Sequence, residues 1–372
     1  MQFAALPMAP RLQVSSYLMQ RTILSVAYPL TDVGIDAVGG SEQILTMLDT
    51  ALTAAGHRSL VIAAEGSRIR GTLLSSPRTT GRLDDSVREW GRSIHQHLID
   101  DALARYPVDL VHMHSLDFHR YLPNAEVPVL ATLHLPPDWY PEEIFRMNRR
   151  HFHMNCVSWS QFRGCPPSPH MVCPVSNGVE VDKLEGRLPR RGKFALALGR
   201  VCPEKGFHLA LDASHRAGVQ LLLAGQVFPY ESHLRYFEAE IAPRLDHLRR
   251  FIGPLRFARK RLLLARAKCL VIPSTVAETS SLVAMEALAC GTPVIAMRSG
   301  ALPEIVTQGC TGFIVDSVEE MAEALSGVES LDPENCRRAA RQNFSARFMA
   351  TQYLDLYERL IQRHAGDRAA AA

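Results

Sequence analysis

The chain has 372 residues, 41 Lys and Arg against 38 Asp and Glu (formal net charge +3), and 47% apolar against 21% charged residues. That length exceeds one ordinary core and predicts two domains, the balance excludes a disordered chain, and so small a net charge gives no basis for nucleic-acid binding. No apolar run is long enough to span a bilayer, and eight cysteines without a C-x-x-C pair or a secretory leader fit a reducing cytoplasm.

Residues 1–20 hold two prolines and no continuous apolar stretch, the pattern of a disordered leader or of a start assigned ahead of Met19. Residues 22–27 read as the first strand. Gly39-Gly40-Ser41-Glu42 follows, then a helix over about 42–55 with Ile44, Leu45, Leu48 and Leu52 at helical spacing and Gly56 closing it. A glycine pair at a strand-to-helix turn lets backbone N–H groups approach a ligand, with Ser41 as N-cap; such pairs are also ordinary turns.

Residues 60–64 form the next strand. Residues 86–106 read as a helix with Val87, Trp90, Ile94, Leu98 and Leu103 on one side. Residues 109–113 and 129–133 are buried parallel strands. His112 and His114 alternate along one strand, so they face one side as packed histidines. His134 sits at the carboxyl end of its strand, towards the expected cleft. Asp138, Trp139 and Tyr140 form either an aromatic platform for a ligand or a packed loop. Residues 156–160 read as another strand. His151, His153, Cys156, Cys165 and Cys173 crowd together at spacings that fit no usual zinc site. The polar run 182–193, with Gly186, Pro189 and Gly192, is the expected domain boundary.

Strand 194–198 opens the second half and leads into Gly199-Arg200-Val201-Cys202-Pro203-Glu204-Lys205-Gly206. Two cations in one strand-to-helix loop suit a diphosphate, although Arg and Lys are also ordinary surface residues. Residues 221–224 with Gly225, and Phe251-Ile252-Gly253, repeat the strand-then-glycine pattern. Basic residues concentrate from Arg244 to Lys268 against the single acid Asp246, as a solvated helical face or as a surface for anionic lipid or substrate.

Residues 269–273 are a buried strand, 274–281 a polar loop and 282–290 a helix ended by Gly291 and Pro293; strand 294–297 follows. The first turn of that helix carries no acid, so its amides and positive dipole end are available to a phosphate. Glu286 is the only charge in a helix otherwise apolar all round. A buried lone carboxylate is costly unless hydrogen-bonded, by vicinal sugar hydroxyls or by a neighbouring Arg. Glu278, at the mouth of the loop, is either a ligand or a solvated acid. Residues 345–361 form a last amphipathic helix (Phe348, Tyr353, Leu356, Tyr357, Leu360), and 369–372 a frayed end.

Glu278-x7-Glu286, followed by Ala287-Leu288-Ala289-Cys290-Gly291-Thr292-Pro293-Val294, resembles the E-x7-E signature of retaining, nucleotide-sugar-dependent glycosyltransferases of family 4, the glycosyl transferases group 1. The resemblance extends to Gly39-Gly40-x-Glu42 with Gly56-His57, to His134, to Asn177-Gly178-Val179, to Gly199-Arg200-x4-Lys205-Gly206 and to Ser299-Gly300 through Phe313, nearly the whole chain. It implies an α/β GT-B fold, two Rossmann-like domains with parallel sheets facing across a cleft. The acceptor side would be 21–185, the donor side 186–344, and the helix 345–364 would return to the first domain. By resemblance Glu286 holds the donor ribose. Glu278 holds hydroxyls of the donor sugar, with His134 beside the reacting centre. Arg200, Lys205 and the backbone of Ser281, Leu282 and Val283 hold the diphosphate. Gly39 and Gly40 lie under it, and Leu255 touches the nucleobase. Glu42, Trp139 and Tyr140 belong to the acceptor side.

One departure stands out. Where such families show Pro-Phe-Gly-Leu, this chain has Thr279-Ser280-Ser281-Leu282, so Ser281 adds a Cβ near the phosphate or brings a hydroxyl to it. There is no Asp-x-Asp, so no metal and no cofactor is expected; there is no P-loop or G-x-G-x-x-G, which argues against a kinase or dehydrogenase. The expectation is retaining transfer of a sugar from a nucleoside diphosphate to an unassigned acceptor hydroxyl on a glycan, glycolipid or small molecule. It would take place in the cytoplasm, with the basic run leaving contact with the inner membrane face open. Its rivals are a nucleotide-sugar 2-epimerase of the same fold, active on donor alone, and a degenerate nucleotide-sugar-binding protein, against which intact Glu278, Glu286, Arg200 and Lys205 argue.

Overall fold

The computed structural model describes residues 19–37, 39–78, 84–186 and 192–371. The leader reading therefore lies outside the described residues except for Met19 and Gln20, as does the middle of the boundary run, 187–191. The first half runs β1 (Thr22–Val26), α1 (Gly40–Ala54), β2 (Arg58–Ala64), β3 (Thr72–Ser76), α2 (Asp85–Arg105), β4 (Leu110–Met113), β5 (Val129–Leu133), β6 (Phe152–Cys156), α3 (Trp159–Gly164) and α4 (Val181–Leu184). The second runs β7 (Phe194–Leu198), α5 (Phe207–Ala217), β8 (Gln220–Ala224), α6 (Glu231–Tyr236), β9 (Arg249–Phe251), α7 (Phe257–Arg266), β10 (Cys269–Ile272), α8 (Leu282–Ala289), β11 (Val294–Met297), α9 (Leu302–Ile305) and β12 (Gly312–Val315). The helices α10 (Val318–Gly327), α11 (Pro333–Asn343) and α12 (Ala346–Ala371) follow.

Strands β1, β4, β5 and β10 inside the sheets, and the edge strand β6, are buried along their whole length. Helices cover both faces of such a sheet, which is why these strands read as continuous apolar runs. All pairings between them are parallel. The first sheet has the order β3-β2-β1-β4-β5-β6 and the second β12-β11-β10-β7-β8-β9. Counted from its own first strand, each is 3-2-1-4-5-6, the doubly wound order whose direction reverses between the first and fourth strands. The crevices beyond the ends of β1/β4 and β7/β10 are therefore the expected ligand positions.

The last helix returns to the first sheet. Tyr353, Leu356, Tyr357 and Leu360 are buried there, packed with Ile44, Leu48 and Leu52 of α1. Tyr357 Oη lies 2.6 Å from His112 Nδ1, and Tyr353 Oη lies 3.2 Å from Thr132 Oγ1 and 3.3 Å from Asn155 Nδ2. The chain crosses back at Val179, whose N–H donates to Phe344 C=O (2.8 Å) while its C=O accepts from Ala346 N–H (2.8 Å).

Several expectations are corrected. Gly39, not Ser41, is the N-cap of α1; the Ser41 hydroxyl goes to Glu42 instead. The strand expected at 156–160 ends at Cys156, because Ser158 caps α3 by accepting from Gln161 N–H. The line α2 buries is Gly91, His95, Ile99 and Ala102, so Trp90 is turned outward. Phe348 also faces out, and α12 continues to Ala371 where a frayed end was expected. The basic run is not one solvated helical face: Arg244 pairs with Asp212 and Glu240, Arg249 with Asp246, Lys260 with Glu286 and Lys268 with Glu329. Among the described residues no helix is long and apolar enough to cross a membrane.

Candidate active site

Strands β7 and β10 are neighbours at the reversal point of the second sheet, so the loops that follow them, 199–206 and 274–281, meet. They are laced by backbone: Thr275 N–H donates to Glu204 C=O at 3.0 Å. Gly206 turns at φ +61°, and a Cβ there would stand 2.2 Å from Pro273 C=O, so only glycine allows the approach. Lys205 is thereby carried to Glu278. Its Nζ donates to Glu278 Oε1 at 2.5 Å, and Ser274 Oγ donates to the same oxygen. Glu278 is thus not the solvated acid of one reading; its side chain is 10% exposed. Gly300, at φ +52°, closes over the Glu278 backbone, where a Cβ would come within 2.1 Å of Glu278 C=O, and Ala301 N–H donates to that carbonyl at 2.7 Å. Arg200 is exposed at the start of its loop.

Ser281 caps α8, its Oγ accepting from Ala284 N–H at 3.4 Å. The departure from glycine therefore has a local use. Helix geometry leaves the amides of Leu282 and Val283 to an outside acceptor. Glu286, one turn on, is buried and takes Lys260 Nζ at 2.6 Å, a lysine where one of its two readings had an arginine. Its other oxygen, Oε2, is buried without a hydrogen-bond partner. Burial raises the Glu286 pKa, and Lys260 pulls it back. Beside this pair lies a cavity of about 240 Å³, walled by Gln43, Thr46 and Met47 of α1 and by Lys183, Lys260 and Glu286 from the other side. Leu255 is half-buried against the apolar core under α8.

The first half closes on this face. A Cβ on Gly40 would meet Leu282 Cδ1 at 3.5 Å, so the glycine pair faces the start of α8. Thr279 Oγ1 donates to His134 C=O at 2.9 Å, and Glu304 accepts the amides of Trp159 (3.0 Å) and Ser160 (2.5 Å) at the start of α3. The His134 ring lies 3.1 Å from His114 Nδ1, and burial lowers the His134 pKa to about 4, so the imidazole is neutral near pH 7. Glu42 is buried and turned inward, accepting from Thr31 Oγ1 and Ser41 Oγ, both at 2.9 Å. Trp139 is exposed, but Tyr140 is not the ring platform that was one of its two readings. It is 6% exposed, and its hydroxyl accepts the amides of His134 (2.9 Å) and Leu135 (3.2 Å).

The structure thus brings Lys205, Glu278, Ser281, Leu282 and His134 together, and sets Glu286 one helical turn deeper. Sequence reasoning missed Ser274, Thr279 and the pairing of Lys260 with Glu286. Lys260 stands 26 residues from its partner, a separation that carries no periodic signal.

Residues 192–329 match the family model described as glycosyl transferases group 1. The chain is similar to alpha-maltose-1-phosphate synthase of Mycobacterium tuberculosis, at 30% identity over 224 residues, 52% of this chain and 58% of that protein. It spans about half the length of the curated relatives it matches. It superposes on sucrose-phosphate synthase from Thermosynechococcus elongatus with a TM-score of 0.74 at 20% identity, covering 92% of this chain and 100% of that one. It also superposes on Anabaena HepE in complex with UDP-glucose with a TM-score of 0.69 at 18% identity, covering 91% and 99%. Residues 192–329 thus match the glycosyl transferases group 1 model, in a chain that has the GT-B fold over nearly its whole described length.

Proposed function

We propose that the protein transfers a sugar from a nucleoside diphosphate to an acceptor hydroxyl, with retention at the anomeric carbon and without a divalent ion at the diphosphate. The observation that carries this reading is the gathering of Lys205, Glu278 and the open first turn of α8 around one crevice, with Gly40 across it. Arg200, Lys205 and the amides of Leu282 and Val283 meet the charge that grows on the departing diphosphate, which is the part of the reaction most helped by fixed dipoles and cations. Glu286 holds the ribose hydroxyls and Glu278 those of the transferred sugar. A neutral His134 orients a sugar hydroxyl by hydrogen bonding and carries no proton in the step. The bond to the diphosphate loosens on the face from which the acceptor arrives, and the departing phosphate takes the acceptor proton. A solved neighbour that holds UDP-glucose supports the donor class.

A thermal-shift panel of UDP-, GDP-, ADP- and TDP-sugars tests the donor, since a ligand that binds the native state raises its stability by mass action. One nucleotide series should raise the melting temperature; no shift across the panel would overturn the reading. Turnover in buffer free of Mg²⁺ and Mn²⁺ should equal that with either ion added. The anomeric proton coupling of the product, read by NMR, reports retention or inversion.

A further inference from the structure

The 199–206 loop carries a second cluster that sugar transfer does not use. Cys202 and Glu204 stand two residues apart in its turn, and His233 reaches them from α6. One ligand atom from each lies within 4.8 Å of the others. Cys202 is 3% and His233 9% exposed, while Glu204 faces solvent. The His233 ring is set edge-on to Phe228 (6.4 Å between centroids) and Tyr230 (5.2 Å), which fixes its plane. Its Nδ1 is buried with no hydrogen-bond partner. A buried imidazole nitrogen left unpaired is costly, and it points to a ligand.

We propose that Cys202, Glu204 and His233 bind one zinc ion, with a fourth position open to water. The proposal goes beyond sugar transfer and does not depend on it. Thiolate and imidazole favour zinc over magnesium or calcium, which take oxygen ligands. Zn–S bonds of about 2.3 Å and Zn–N bonds of about 2.0 Å set tetrahedral donors about 3.5 Å apart, so the cluster closes by about 1 Å on binding. Without a cation Cys202 keeps its proton: burial raises its pKa, and the neighbouring Glu204 carboxylate raises it further. Zinc displaces that proton to solvent and forms the S–Zn bond. The ion then ties α6 to the loop that presents Arg200 and Lys205, a structural clamp beside the diphosphate position.

The test is the metal content of the untagged full-length chain grown with zinc, measured by mass spectrometry after gel filtration. About one zinc per chain is expected, since thiolate and imidazole ligands hold zinc tightly even with one position open to water. Replacing zinc with cobalt should give a thiolate-to-metal absorption in the near ultraviolet that is absent from Cys202→Ser. His233→Ala should lose the ion. Glu204→Gln, an exposed change that leaves the metal-free fold intact, should weaken zinc binding at least about ten-fold and remove the rise in melting temperature on adding zinc. Wild-type chain that holds under a tenth of an equivalent and melts unchanged with added zinc would overturn the proposal. Full zinc content in all three variants would overturn it as well, by placing the ion elsewhere.

Discussion

Glu278 and Glu286 stand eight residues apart in sequence, yet each is answered by a lysine from a different element, Lys205 after β7 and Lys260 from α7. Their depths separate their tasks: Glu278 lies at the loop mouth and Glu286 one turn inside α8. Replacing either by Gln removes a charged hydrogen-bonding partner, worth ~1.5–3 kcal/mol, or about ten- to a hundred-fold in affinity or rate. Glu286→Gln should weaken both a free nucleoside diphosphate and a nucleotide sugar. Glu278→Gln should leave the free diphosphate bound at least as tightly, since Lys205 is released to it, and reduce turnover. Calorimetric titration of both variants with the diphosphate and a non-transferable donor analogue separates the cases, and equal loss of diphosphate binding would contradict this division.

At the scale of elements, α8 rests on a cap that the usual glycine does not supply. Ser281→Ala should lower stability by about 1 kcal/mol, and Ser281→Gly by only a few tenths, read as shifts in the urea midpoint. Much of this unit was legible in the sequence, because buried parallel strands are unbroken apolar runs and α8 is closed by Gly291 and Pro293. Other elements were not. The edge strand β3 holds two serines and is partly exposed, so it lacks the apolar signature of its neighbours. In α2 the buried line contains Gly91 and His95, and Gly91 is there for space: a Cβ would meet Pro29 and Leu30 at 3.1 Å. A hydrophobic count places that face wrongly. The lysine partners of both carboxylates were invisible as pairs, because only the folded sheet brings the two loops, and α7 and α8, together.

Taken whole, the molecule keeps several histidines neutral. His95, His112, His114 and His134 all have pKa values lowered mainly by burial, His95 and His134 to about 4, against 6.5 in the open chain. As pH falls below 6.5 the unfolded chain takes up protons that the folded chain refuses. Stability is therefore full above that pH and is lost on the way down towards 4, by about 3 kcal/mol for each of His95 and His134. Glu286 acts with the opposite sign, since its raised pKa favours the fold at low pH. The net expectation is a urea midpoint that drops steeply from pH 6.5 to 4.5; a flat profile would contradict the neutral histidines. Pairing of both site lysines has a further consequence, for kinetics. The two lysines therefore add little long-range attraction for a diphosphate approaching from solution, which is left to exposed cations such as Arg200 and, at the cavity wall, Arg68 and Arg70. Charge contacts arise only on arrival, as Lys205 exchanges Glu278 for phosphate. Encounter should then be steered by those arginines, with an association rate constant that falls between low and moderate salt and falls less in an Arg68→Ala, Arg70→Ala chain, read by stopped-flow.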